Sequence, residues 1–379
     1  MNEFKNALYK KIKQSVNNNY GIENYDEYRF GKYSNEIKKN KKITFFTIKN
    51  LKQIVKNIIG HHPEHRQYFI KANALIKDHL VGIDKIWNNI SAKDKDVFIK
   101  LVAYMILGYT KVKLPRNNKA YWEAIEKAKK NSNPADTYDP KFMHFILEKF
   151  DLKPLGFDIK LYFSAIAIAI DYILEQYAYK SDSELIEVKS GDVVLDIGGC
   201  WGDTALYFAH KAGENGQVYS FEFIPENIKL FNINTAFNAH LSNRIKLVEQ
   251  PVSDVSGDTI YYKDHGPGSR VEFKPFDLQT GTTTTISIDD FVKSNNIEKV
   301  NFIKMDIEGA EPAALKGAIE TIKKFKPKLA IAIYHSFDDF VNIPNWILDL
   351  DLGYEIFIDH YTIHAEETIC FARVKSTNK

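Results

Sequence analysis

Three carboxylates crowd into six residues, Asp306-Ile307-Glu308-Gly309-Ala310-Glu311, directly after the run Phe302-Ile303-Lys304-Met305. A second apolar run, Leu329 to Tyr334, ends in His335. Ligands of open α/β sheets bind outside the carboxyl ends of strands. Acids and an imidazole at such a rim could take a proton from a bound hydroxyl, and a free imidazole pKa of ~6.5 suits that task. Asp306, Glu308 and His335 could equally hold a divalent cation such as Mg²⁺. Spacing does not decide between base and metal. Glu311 directly precedes Pro312, a favoured first helical residue, and so reads either as site or as cap of a helix from Pro312 to Phe325. Lys304 could balance these acids or reach the surface.

The other chemically suggestive stretch is Asp196-Ile197-Gly198-Gly199-Cys200-Trp201-Gly202-Asp203-Thr204, set between a β-branched run and the helical pattern Ala205-Leu206-Tyr207-Phe208-Ala209. Glycines let backbone approach a ligand closely, and the helix start offers unpaired N–H groups. Twenty residues past Gly202 stands Glu222, an acid placed to bond the two hydroxyls of a ribose. The dinucleotide fingerprint G-x-G-x-x-G fails here, because Cys200 and Asp203 fill its third and sixth positions. The pattern that fits is D-x-G-x-(G)-x-G, with Cys200 where a central glycine is common. It resembles the cofactor loop of class I S-adenosylmethionine (SAM) methyltransferases.

These motifs need a parallel sheet to position them, and the chain from about residue 191 supplies one. Strands are expected at Val193–Ile197, Val218–Phe223, Ile245–Val248, Phe302–Asp306, Leu329–Tyr334, Glu355–Ile358 and Thr368–Val374, with the last two an antiparallel pair closing one edge. Residues 255–283 read as a hairpin and loop over the site. The first part reads as helical, with apolar residues at Leu51-Ile54-Val55-Ile58-Ile59 and again from Val97 to Leu107. Ser91 with Asp94 marks the start of the second helix. Asn17-Asn18-Asn19 and Lys38-Lys39-Asn40-Lys41-Lys42 read as solvated loops. The expected division is a helical N-terminal domain over 1–155 and an α/β domain over 156–379.

The phrase Ile303 to Glu311, taken with Asp196 to Thr204, resembles the FkbM family of SAM-dependent methyltransferases. Phe221-Glu222-Phe223-Ile224-Pro225, Ser287-Ile288-Asp289-Asp290-Phe291 and Ile333-Tyr334-His335 match in order, so the resemblance runs from about 165 to 375. It implies a Rossmann-like fold, SAM as cofactor, and methylation of an oxygen, usually on a sugar or secondary metabolite. Asp306 is then the first choice of base, followed by His335, while Glu308 could bind acceptor hydroxyls or a cation. Gly198, Gly199, Gly202, Asp203 and Thr204, with Asp196 behind them, should surround the methionine end, and Glu222 the ribose. Phe223 could lie against adenine or in the core; Gln250, Ser253 and Asp254 stand where an adenine edge would fall. Tyr177 could close over the cofactor. His360, Tyr361 and Glu367 gain a little from the resemblance, and His364 reads as a turn residue.

Charge divides with the texture. The 51 basic and 49 acidic residues give +2 overall, yet residues 1–150 hold 29 basic and 15 acidic side chains against 22 and 34 in the remainder. A basic part of that size could face a phosphorylated or nucleotide-linked glycan, a lipid-linked acceptor on an anionic membrane, or RNA, or it could simply dock onto the acidic part. The lysines are spread among asparagines without arginine-aromatic interleaving, which argues against RNA. A non-catalytic SAM-binding partner subunit is the reading from another class, and the acid-rich rim argues against it. With 44 % hydrophobic residues, no apolar stretch of membrane-spanning length and two distant cysteines, the chain reads as a cytoplasmic globular protein with reduced thiols.

Overall fold

The computed structural model describes residues 2–33 and 63–375. They group into two units, Met1–Asn117 with Thr362–Glu366, and Asn118–Tyr361 with Glu367–Lys379. In the first unit, Phe4, Leu8 and Ile12 recur at helical spacing on Glu3–Ser15 and are fully buried. Phe4 meets the rings of Trp87 and Phe98 edge-on at 5.5 and 5.8 Å. Helices Pro63–Ile76, Leu80–Asn89 and Ala92–Leu107 complete the packing. The Ser91 hydroxyl accepts from the Asp94 amide at 3.1 Å, the cap expected for the last of these. The expected helix at Leu51–Ile59 and the lysine stretch from Lys38 lie outside the described residues. Asn17-Asn18-Asn19 do form a loop, with Asn17 and Asn19 exposed; the carbonyl of half-buried Asn18 accepts from Lys111 Nζ at 2.7 Å. His364 does lie in a turn, but a buried one, with Nε2 3.4 Å from Asp26.

The expected boundary at 155 differs from the observed division at Asn117. After helix Lys119–Lys129 the chain forms a three-stranded antiparallel sheet, Ser132–Tyr138, Leu147–Asp151 and Lys160–Phe163, where a helical domain was expected. Leu161 and Phe163 are buried while Lys160 is exposed, a period of two that the short, polar strand sequences conceal.

The main sheet has seven strands, numbered here β1 (Val193–Ile197), β2 (Gln217–Phe221), β3 (Ile245–Val248), β4 (Phe302–Met305), β5 (Lys328–Ala332), β6 (Tyr354–His360) and β7 (Thr368–Val374). Their order is β6-β7-β5-β4-β1-β2-β3. β7 runs antiparallel to both β5 and β6, so the reversed strand sits second from the edge. β1 and β4 are buried at every position, as near-continuous apolar runs in a covered parallel sheet should be. The insertion is a small sheet with Thr259–Lys263 between Arg270–Glu272 and Gly281–Thr284, a fuller structure than a hairpin. The helix expected over Pro312–Phe325 is two, Glu311–Lys316 and Ile319–Phe325. They part at Gly317, whose Cα packs against the Ser253 carbonyl so closely that a Cβ would lie 2.2 Å away. No helix among the described residues is long and apolar enough to cross a membrane.

Because β1 and β4 are neighbours in register, their carboxyl ends emerge side by side. The Asp306 amide donates to the Ile197 carbonyl at 3.0 Å, and Gly198, at φ +91°, lies where a Cβ would be 2.0 Å from the Asp306 carbonyl oxygen. Gly198→Ala therefore combines a left-handed backbone with a clash against main chain. We expect a loss of roughly 2–4 kcal/mol in urea denaturation, while Gly257→Ala, left-handed but in open space, should cost about 1 kcal/mol.

Candidate functional site

The loop after β1 is shaped by conformations few residues adopt. Gly198 and Gly202 have φ of +91° and +82°, and Cys200 between them has +42°. That left-handed value explains why glycine would be the easier residue at Cys200, whose thiol is free and driven to higher pKa by burial. A Cβ on Gly199 would lie 2.1 Å from Ser220 Oγ, so the loop also presses on the end of β2.

Beneath it lies a fully buried ion pair. Asp196 and Lys304 are register partners on β1 and β4, 0 % and 2 % exposed, with Nζ 3.3 Å from the carboxylate. Asp196 also accepts from Thr204 Oγ1 at 3.0 and 2.9 Å and from Ser220 Oγ at 2.7 Å. Lys304 donates to the Gly198 carbonyl at 2.5 Å and lies 5.3 Å over the Tyr177 ring. Burial opposes the lysine's charge, but Asp196, Asp306 and Asp203 outweigh it and hold its pKa above the ordinary value. Asp196, read from sequence as a cofactor residue, is thus committed to the loop's foundation, and Lys304 is no surface residue.

Asp306 follows β4. Tyr334 donates to both of its oxygens, at 3.0 and 3.1 Å, and Tyr177 to Oδ2 at 3.1 Å. Burial pushes the Asp306 carboxyl up against the lowering effects of Lys304 and His335. His335, after β5, lies between acids: Nε2 is 3.4 Å from Asp306 and Nδ1 is 3.3 Å from Glu311. Burial alone would lower its pKa, but Glu311, Asp306 and Glu308 raise it to about 9. At neutral pH His335 is an imidazolium, which corrects its sequence-based reading as a base. Glu311 is not the cap: Ala310 holds that place without a side-chain bond, and Glu311, the first residue of the helix and fully buried, accepts from the Ile307 amide in the preceding loop at 2.7 Å while facing His335. Glu308 is the outlying member, its side chain 65 % exposed and 3.8 Å from His335 Nε2.

The metal set expected from sequence changes accordingly. Asp306, Glu311 and His335, with Glu311 in place of Glu308, offer atoms within 4.8 Å of one another. A cation there must first displace a proton that three carboxylates hold on His335, and its imidazole is not the all-oxygen environment that Mg²⁺ favours. The donor set does not fit Mg²⁺, and no chemical step below passes through a metal.

On the other side of the loop, Glu222 follows β2. Its Oε1 accepts from the amides of Phe223 and Ile224 at 2.6 and 2.7 Å, and its Oε2 from Asn227, which accepts from Trp201 Nε1. Burial pushes Glu222 up to about 7. Phe223 meets Tyr262 of the insertion edge-on at 5.7 Å. Asp203 and Thr204 open the helix Asp203–Ala212 and are buried; burial pushes Asp203 up to about 7. Ser253 is buried and donates to Asp254, itself exposed, and Gln250 is half-buried. Tyr177 bonds the candidate base itself. His360 Nδ1 pairs with Thr368 at 2.9 Å across β6 and β7, and the Tyr361 hydroxyl donates to the Ala178 carbonyl at 3.1 Å. Sequence reasoning passed over Tyr334, whose only signal was its place one residue before His335.

A glycine loop between the first parallel strand and a helix, an acid after the second and a carboxylate after the fourth define a Rossmann-like fold of the methyltransferase type. Residues 192–356 match the family model described as the methyltransferase FkbM domain. A comparison with curated proteins gives no match. Among solved structures, the chain is similar to methyltransferase FkbM from Methylobacillus flagellatus KT, at 19 % identity and TM-score 0.41, over 72 % of this chain and 65 % of that one. It thus spans just under two thirds of that relative's length. It is also similar to Aeropyrum pernix fibrillarin, solved with natively bound S-adenosyl-L-methionine, at 15 % identity and TM-score 0.32, over 49 % and 68 % of the two chains. A putative caffeoyl-CoA O-methyltransferase from Staphylococcus aureus shares 11 % identity at TM-score 0.32, over 48 % and 76 %.

Two outcomes are expected of the buried charges. Lys304→Met leaves Asp196 without its cation and should cost about 3–5 kcal/mol in urea denaturation. His335 has a folded pKa above its unfolded one, so its pairing stabilises the fold fully below pH ~6.5 and is lost as pH rises through about 9. Between pH 7 and 10 the wild-type chain should lose on the order of 2 kcal/mol more than His335→Asn. Parallel stability curves would contradict the imidazolium assignment.

Proposed function

We propose that the chain is a SAM-dependent O-methyltransferase acting on a sugar hydroxyl, of a glycan or a nucleotide- or lipid-linked glycan precursor. The observation that carries the reading is the place of Asp306: a half-buried carboxylate, held by two tyrosine hydroxyls, directly against the glycine loop that would cradle the cofactor. The residues fit such a ligand, since left-handed Gly198 and Gly202 turn the loop tightly into the start of the helix Asp203–Ala212 and Glu222 directly follows the adjacent strand. SAM, when bound, supplies an electrophilic methyl group on sulfonium.

The protein's work is alignment and proton removal. The loop from Gly198 to Thr204 holds the amino-acid end, and Glu222 lies toward the ribose, with Phe223 beside the base. Asp306 accepts the proton of the acceptor hydroxyl, and burial raises its basicity for that purpose. Tyr177 and Tyr334 orient its oxygens. His335, held cationic by Glu311, offsets the negative charge of the rim. The sugar character of the acceptor rests on the family domain, and an alcohol acceptor on the presence of a positioned base.

Titration calorimetry should show binding of S-adenosylhomocysteine, with Glu222→Ala weakening it by about tenfold or more, roughly 1.4 kcal/mol. Asp306→Asn should leave that binding almost intact yet lower SAM turnover on a panel of glycan acceptors by roughly 10²- to 10⁴-fold. Absence of any binding by the wild-type chain would refute the cofactor, and full turnover by Asp306→Asn would refute the base.

A further inference from the structure

Away from the cofactor loop, the far end of the helix Asp203–Ala212 borders a cleft of about 350 Å³. His210 and Lys211 line it from that helix, Phe157 from the chain after the turn Lys153–Leu155, and Lys127 from the helix Lys119–Lys129. Roughly 10 Å of helix separates His210 from Asp203, so this space is not the cofactor rim. The remaining wall is uncommon backbone. Ala169–Ile173 form one turn of π-helix, a rare geometry that often marks functional positions, and Glu175 just beyond it is held at φ +51°. Tyr172 and Ile173 of that turn line the cleft, and the Tyr172 hydroxyl donates to the Asp203 carbonyl at 2.7 Å.

The lining is aromatic on one side and cationic on the other. Phe157 meets the Tyr172 ring edge-on at 5.2 Å and the His210 ring at 5.1 Å, with Ile173 beside them. The His210 ring makes no hydrogen bond among the described residues, and burial, Lys211 and Arg244 lower its pKa, so it stands as a neutral imidazole. Lys211 is already matched by two acids, Glu175 at 3.1 Å and Glu187 at 3.0 Å. Lys127 is not. The acids of its own helix belong to other lysines, Glu123 to Lys119 at 3.4 Å and Glu126 to Lys129 at 2.7 Å. Its ammonium therefore keeps three donors and a charge that no acid among the described residues offsets.

We infer that this cleft is a second small-molecule site, for an aromatic monocarboxylate whose ring lies on Phe157 and His210 and whose carboxylate meets Lys127. One free cation calls for one negative charge, and a dianion such as phosphate would bring a second that the Glu175 carboxylate opposes. The volume lies near the lower end of the range for ligand sites, about 300–1,000 Å³, which suits a single ring with its head group. The site needs neither the cofactor nor the acceptor, so it stands apart from the reading above.

Saturation-transfer NMR with benzoate, acetate and benzyl alcohol tests it on the full chain. Benzoate should bind with a Kd on the order of 1 mM, the strength expected of so small a ligand. Acetate lacks the ring and benzyl alcohol the charge, so each should bind roughly tenfold more weakly or not at all. Lys127→Met should weaken benzoate roughly 10- to 100-fold, the scale of a lost charge-assisted hydrogen bond, while Lys127→Arg should stay within about threefold. Lys127 is exposed on its helix, so both variants should melt with the wild type. In crystals soaked with para-bromobenzoate, the bromine should lie against Phe157. Benzoate binding that Lys127→Met leaves unchanged, or that acetate or benzyl alcohol equals, would overturn the inference. So would a wild-type chain that binds no benzoate in solution, or bromine found only outside the cleft.

Discussion

The arrangement of the rim depends on one buried ion pair. Lys304 and Asp196 face each other across adjacent parallel strands, and their other side-chain partners lie at or beside the loop: the Ile197 and Gly198 carbonyls, Thr204, Ser220 and the Tyr177 ring. A pair this deep gains little net stability over apolar residues of the same volume, because desolvating two charges consumes most of their attraction. Its consequence here is geometric. Asp196 fixes the start of the cofactor-loop helix and the end of β2, Lys304 fixes the loop's carbonyl, and together they set where Asp306 emerges beside bare glycine backbone.

Above this pair the electrostatics are unbalanced. Asp306, Glu311 and Glu308 surround His335, which they keep protonated. Lys304 neutralises one acid, Asp196, and little remains for the rest. A site with surplus buried negative charge favours a ligand that carries positive charge, and it holds the basicity of Asp306 above that of a solvated carboxylate. The surplus that favours the cofactor also tunes the base.

Much of this was legible in the sequence, and the failures share a cause. The glycine loop, the strand ends and the carboxylates after β4 were readable because each is a local pattern with a fixed spacing. All seven strands were placed within two residues or so, since a parallel sheet buried on both faces produces apolar runs that polar loops interrupt. What escaped depended on tertiary partners. Glu311 read as a cap or a site residue, and in three dimensions it caps nothing but ties the loop at Ile307 and faces His335. His335 read as a base because its free pKa suits one, until the acids on both ring nitrogens were seen. Tyr334 carried no spacing signal. The sheet over 132–163 was missed because its polar strands hide their alternation, and the helix break at Gly317 because the Ser253 carbonyl that requires it is distant in sequence.

The crystal structure of the chain with S-adenosylhomocysteine tests the account most directly. It predicts the ligand's sulfur at the Gly198–Gly202 loop, beside Asp306, with the ribose toward Glu222 and the Lys304–Asp196 pair undisturbed beneath. Density for the ligand away from that loop, or Asp306 turned from the sulfur with its tyrosines, would contradict it.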